Sequence, residues 1–232
     1  MDKHNLNGKT IAITGSSKGI GKETASLLKE RGANLVLGSR GNTTKMTDHI
    51  LELHLDVQNE QSVKSFYEQA IQKFGKVDVL INSAGVGMFD SILESSTDDF
   101  DQMISVNLRG TYLTCKYFGK HMEKMGKGHI FNLVSIAGTT PLPGCGGYSA
   151  SKFGVLGLTK VLQVELRKKG IQVTSVIPGA VSSSFWDNIE PKPDLSSMIP
   201  VESVSNHLLY LITQDSGAYI DEITIMPPLG IL

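Results

Sequence analysis

Short apolar runs alternate with amphipathic stretches along almost the whole chain. The segments Thr10–Thr14, Asn34–Ser39, 51–57, 77–82, 129–135, 171–177 and 222–226 read as strands. Several of them are nearly continuous apolar runs, as strands covered on both faces require. Between them the period lengthens to that of a helix. Ile20, Thr24, Leu27 and Leu28 share one face before Gly32 stops the pattern, and Glu60–Phe74 carries Val63, Phe66, Tyr67, Ala70 and Phe74 on one side. Further helices are predicted over 98–125, 147–169 and 201–214. Residues 41–47 read as a polar loop, while 182–198 has weak periodicity, Pro191 and Pro193, and an exposed-looking Trp186. Strand and helix in alternation predict an α/β fold: a doubly wound, mostly parallel, seven-stranded sheet with helices on both faces. The 232 residues fit a single domain spanning 1–232.

Composition narrows the class. The chain is 40% hydrophobic and 19% charged, with a formal net charge of −1, so nothing advertises nucleic acid or an anionic membrane as partner. Cys115 and Cys145 form neither a metal-ligand spacing nor a disulfide framework, so no metal is expected and a reducing compartment is. Residues 1–9 are polar and lack the apolar core of a secretory signal, and no apolar run approaches the ~20 residues of a membrane span. The expectation is a cytoplasmic protein without a membrane segment.

Chemistry concentrates in two places. Tyr148-Ser-Ala-Ser-Lys152 follows Ser135 by thirteen residues. Tyrosine and lysine four apart share a helix face. An ammonium beside a phenol favours the phenolate and lowers a pKa that starts near ~10, giving a proton donor and acceptor near neutral pH. The other place is Thr14-Gly-Ser-Ser-Lys-Gly-Ile-Gly21, at the first strand-to-helix junction. Gly15, Gly19 and Gly21 depart from the G-x-G-x-x-G spacing, yet small residues here still let the backbone turn tightly and approach a pyrophosphate. The second strand ends Leu37-Gly-Ser-Arg40, without the carboxylate that would bond a ribose diol and repel a 2′-phosphate. Ser39, Arg40 and Lys18 instead suit a phosphate, so NADP(H) is expected over NAD(H).

Thr14-Gly-x-x-x-Gly-x-Gly21, Asn82-Ser-Ala-Gly85, Asn107, Ser135, Tyr148-x-x-x-Lys152 and Pro178-Gly179 occur in one order. In that order, from about residue 8 to 227, the chain resembles the classical short-chain dehydrogenases/reductases. The resemblance implies a single Rossmann-fold domain, with a cofactor half at about 8–135 and the catalytic helix and substrate loop at about 135–200. It implies that Tyr148 is the acid/base and that Lys152 lowers its pKa and bonds the nicotinamide ribose. Ser135 would hold the substrate oxygen, and Asn107 a water on the way to Lys152. Cofactor contacts are implied for Gly15, Ser17, Lys18, Gly19, Ile20 and Gly21, then Ser39, Arg40, Asp56 and Val57. Others fall on Asn82, Ala84 and Gly85, on Tyr148 and Lys152, and on Pro178, Gly179, Val181 and Ser183. Four features depart from the family pattern. Ser83 replaces a second asparagine, Ser183 stands where threonine is common, and the 40–53 connection is too short for a full helix. The tail at 219–227 lacks the valine-aspartate-glycine-glycine ending of many acyl-carrier-protein ketoreductases.

The expected reaction is reduction of a ketone or aldehyde, a 3-oxoacyl group included, or the reverse oxidation of an alcohol. The alternative is a non-catalytic NADP(H)-binding sensor, which has no need of a proton relay. Candidate pocket residues are Phe185, Trp186, Ile189, Met198 and Leu142, with Met88 and Phe89 opposite; Lys192 and Arg109 are candidate contacts for an acidic substrate. Val155, Leu158, Leu162, Val164 and Leu166 exceed what one core-facing stripe needs. With the resemblance, they imply a homodimer or homotetramer.

Overall fold

The computed structural model describes residues 5–187, 189, 193–214 and 217–231. Pro191 and Lys192 lie outside the described residues, as do residues 1–4. Seven parallel strands form the sheet: β1 (Thr10–Thr14), β2 (Asn34–Ser39), β4 (Ile50–His54), β5 (Val79–Asn82), β6 (Gly128–Leu133), β7 (Ile171–Pro178) and β10 (Glu222–Ile225). Their order is β10-β7-β6-β5-β1-β2-β4. The sequence pattern places these strands to within a few residues.

An eighth strand corrects the seven-stranded expectation and the polar loop read at 41–47. β3 (Lys45–Met46) pairs antiparallel with β4, Lys45 opposite Glu52 and Met46 opposite Leu51. The connection is too short for a crossover helix, so the chain doubles back on the sheet edge through a turn closed by Thr47 N–H on Ile50 O at 2.8 Å. Both β3 residues are exposed, and two residues carry no period.

Helices cover both faces. α1 (Gly19–Glu30) and α6 (Val201–Thr213) bury Leu28, Leu208 and Ile212 against Ile11 and Ile13. On the other face α2 (Glu60–Phe74) brings Phe66 to the sheet, capped at its start by Asn59, whose side chain accepts from Ser62 N–H, and ended by Gly75 at φ 72°. Residues 97–125 form one helical run, as predicted, but in three parts: α3 (Thr97–Met103), a π-helical turn Ile104–Arg109, and α4 (Gly110–Met125). Within it Gly110 N–H bonds the carbonyl of Ser105, five residues back.

α5 (Gly146–Arg167) packs Val155 and Leu156 against Val134 and Ile177. Val155 and Leu166 are therefore core residues, which corrects their reading as a spare apolar face. The outward stripe holds Val164, as expected and 78% exposed, together with Phe153, Gly157 and Val161. The short strands β8 (Val181–Ser182) and β9 (Ile199–Pro200) pair with each other and tie down both ends of the 183–198 segment. β1 has β2 on one side and β5 on the other, so the connections leave in opposite directions at its carboxyl end. That is where an open parallel sheet splits into a crevice.

Candidate active site

A cleft of about 940 Å³ runs along the carboxyl ends of these strands. One end is built by the glycine turn. Gly15 takes φ 69°, and a Cβ there would lie 2.7 Å from Ala84 Cα; a Cβ on Gly21 would lie 2.4 Å from Gly15 O. Thr14 Oγ1 accepts the N–H groups of Ser83 and Ala84 at 3.2 and 3.1 Å, binding the turn to the end of β5. α1 begins with neither a capping side chain nor an acidic residue in its first turn, so its N-terminal N–H groups and dipole are left for an anion. Gly15, Ser17, Lys18, Gly19 and Ile20 line this end, as do Ser39, Arg40, Asp56 and Val57. Lys18 and Arg40 are both exposed at it. The β2 turn is fixed by Asn42, which accepts from Ser39 Oγ at 2.7 Å and donates to Leu37 O at 3.0 Å. Asp56 holds its own turn by accepting Gln58 N–H at 3.0 Å. A glycine cradle closed to any Cβ, an uncapped helix start and two cations suit a phosphorylated dinucleotide.

At the other end the chemical groups meet. Ser135 follows β6, accepts Ala137 N–H at 3.2 Å and hydrogen-bonds the hydroxyl of Tyr148. Lys152, one turn along α5, places Nζ 5.7 Å from the Tyr148 ring centroid and donates to Leu133 O at 2.8 Å. Burial pushes Tyr148 up to about 12, against the pull of the Ser135 hydrogen bond, and pushes Lys152 down to about 8. For Tyr148 desolvation of the phenol is the largest cause, and it outweighs the Ser135 hydrogen bond. Tyr148 is accordingly a protonated donor at neutral pH.

A family model described as short chain dehydrogenase matches residues 9–194. The chain belongs to the short-chain dehydrogenase family. An uncharacterized oxidoreductase of Staphylococcus aureus (strain MW2) is 34% identical over 230 residues, which cover 96% of this chain and 98% of that one. A 3-oxoacyl-[acyl-carrier-protein] reductase of Synechocystis is 32% identical over 231 residues and 93% of each chain. Among solved structures, ElxO with NADP bound superposes with a TM-score of 0.84 at 29% identity, covering 94% of this chain and 97% of that one.

In this short-chain dehydrogenase Asn107 sits inside the π turn, 1% exposed, beneath the cleft. Its Oδ1 accepts Val86 N–H at 2.8 Å, while Nδ2 donates to Val86 O and to Ser151 Oγ, both at 2.9 Å. The side chain thus holds the 83–88 loop on α5. Its main-chain carbonyl already accepts Thr111 Oγ1 at 2.7 Å. Asn82 is not among the residues that line the cleft: its amide donates to Asn132 Oδ1 at 2.8 Å and accepts from Thr114 Oγ1 at 2.7 Å. Ala84, Gly85, Pro178, Gly179, Val181 and Ser183 do line the cleft, whereas Gly21 acts behind it through its close approach to Gly15.

The substrate end of the dehydrogenase departs further from expectation. Leu142, Met88, Phe89, Phe185, Trp186 and Ile189 line it. Met198 does not, being buried beside β9. Trp186 is not free at the surface, since its indole N–H donates to Val181 O at 2.8 Å. Arg109 does not line the cleft and donates to the carbonyl of Gln58. Three contributors were given no role from the sequence. Thr14 and Asn42 act through backbone groups, for which a Thr before the glycine and an Asn just after the second strand were the available signals. Ile231 reaches the cleft from the tail beyond Pro227, a segment with no periodic signal.

Proposed function

We propose that this short-chain dehydrogenase is an NADP(H)-dependent reductase of ketones or aldehydes, able to run in reverse on the alcohol. The observation that carries this reading is the hydrogen-bonded Ser135–Tyr148 pair on the wall of the cleft, with the Lys152 ammonium one helical turn away. A bound nicotinamide supplies or takes up the hydride. Tyr148 gives its phenolic proton to the carbonyl oxygen as that oxygen gains charge. Ser135 orients the same oxygen by hydrogen bonding and so lowers the cost of the developing alkoxide. Lys152, charged below its pKa of about 8, stabilises the phenolate left on Tyr148 and is aimed by Leu133 O. A sensor of the nucleotide would have no use for this arrangement.

Lys18 and Arg40 at the glycine end support NADP(H), as does the likeness to ElxO with NADP bound. The relative from Synechocystis supports a 3-oxoacyl carbonyl as one candidate substrate. The stripe of Phe153, Val161 and Val164 supports a homo-oligomer built on α5, since such a row at helical spacing fits a second copy of itself. Oxidation of NADPH and NADH against ketones, aldehydes and 3-oxoacyl thioesters tests the reading; binding of NADPH without turnover of any carbonyl would overturn it. Arg40→Asp should weaken NADPH by ~10-fold or more and leave NADH nearly unchanged. An unaltered ratio in paired titrations would remove the phosphate assignment.

A further inference from the structure

Four aromatic rings, those of Phe89, Tyr148, Phe185 and Trp186, pack together in the wall of the cleft beside the reacting groups. Phe89 meets Tyr148 edge-on, with ring centroids 5.5 Å apart and planes at 71°, and Phe185 meets it at 5.9 Å and 52°. Trp186 stacks on Phe89 at 5.8 Å with planes only 18° apart, and stands at 83° to Phe185. This wall is fixed from behind. The Trp186 indole N–H is bonded to Val181 O, and Phe185 Cζ comes within 2.4 Å of where a Cβ on residue 87 would sit, so Gly87 is what admits the ring.

Charge at this end points the same way. Among the described lining residues the cations are Lys18 and Arg40, at the nucleotide end, and Lys152 beside Tyr148; the exposed carboxylate of Asp90 stands on the substrate side with Phe89. A carboxylate there disfavours an anionic substrate.

Resting on the reductase reading, we infer that the pocket takes an uncharged carbonyl compound whose carbonyl is conjugated with a flat unsaturated ring. A group that brings its carbonyl oxygen to Tyr148 and Ser135 lies against this aromatic wall. Each aromatic contact adds about two- to tenfold in affinity beyond the apolar area it covers. A straight alkyl chain gains the area alone.

The test compares acetophenone, 2-octanone and a 3-oxoacyl thioester as substrates with NADPH. The chain has a single tryptophan, Trp186, so its emission reports on the same wall without turnover. A kcat/KM for acetophenone at least ~10-fold above both competitors is expected. Phe185→Leu should lower it ~10-fold while changing 2-octanone less than ~3-fold. Saturable quenching of Trp186 by acetophenone and none by 2-octanone is expected in the wild-type chain and in Tyr148→Phe. Preference for 2-octanone or the thioester would overturn the inference and leave the reductase standing. Saturable quenching with no turnover of any carbonyl would uphold the ring pocket and overturn the reductase. Absence of both ring preference and quenching would overturn the inference.

Discussion

Burial moves the two titrating groups of the active site in opposite directions, Tyr148 up to about 12 and Lys152 down to about 8. For Lys152 the unfolded chain holds its proton up to the ordinary value of 10.5. Between pH 8 and 10.5 the unfolded state therefore binds more protons, and stability rises with pH across that window. Below it the folded chain carries the full cost of a buried ammonium, about 3 kcal/mol. Lys152→Met should thus abolish turnover without lowering the melting temperature at pH 7; a drop of several degrees would make the ammonium a net stabiliser through Leu133 O. Tyr148→Phe should cut turnover by ~10² to 10⁴ while NADPH still binds in a fluorescence titration, since only the transferable proton is lost. The residues of this chemistry were legible because Tyr148 and Lys152 stand at a helical spacing. Their pKa directions were not, because desolvation depends on Ser135, Leu133 and the surrounding walls, none of which a spacing reveals.

Elements supply what single residues cannot. The π turn at Ile104–Arg109 turns Asn107 under the 83–88 loop, where it satisfies both backbone groups of Val86. Asn107→Ala would leave Val86 N–H and C=O without these partners. It should cost ~2–4 kcal/mol in denaturant unfolding and lower kcat as the loop loosens against α5. Unchanged stability would show that the loop is held by other contacts. The run of residues 97–125 could be read as a helix from its apolar period, but an extra residue in one turn leaves that period almost intact. β3 escaped for a similar reason, two exposed residues being too few to show alternation. Larger elements were predicted well because their apolar period runs long enough to show, as Val63, Phe66 and Ala70 do along α2, and because Gly32 stops the pattern of α1.

At the scale of the whole molecule, alternation of strand and helix was enough to foresee the parallel sheet and the crevice at the carboxyl end of β1. Which apolar residues of α5 face solvent was not, since core and interface stripes share the same composition and period. Val161→Asp puts a charge in the exposed stripe and should shift the sedimentation of the protein towards a monomer, with the core of α5 intact. A wild-type chain that already sediments as a monomer would sink the assembly on α5. That helix presents Tyr148 and Lys152 on one side and Phe153, Val161 and Val164 on another, each set fixed by rotational phase. Removing one residue turns everything beyond it by ~100°. A library of single-residue deletions should therefore lose every functional clone between Tyr148 and Val164 and retain them at 43–44, beyond Asn42, so that the lineage can drift in side chains along α5 but never in its length.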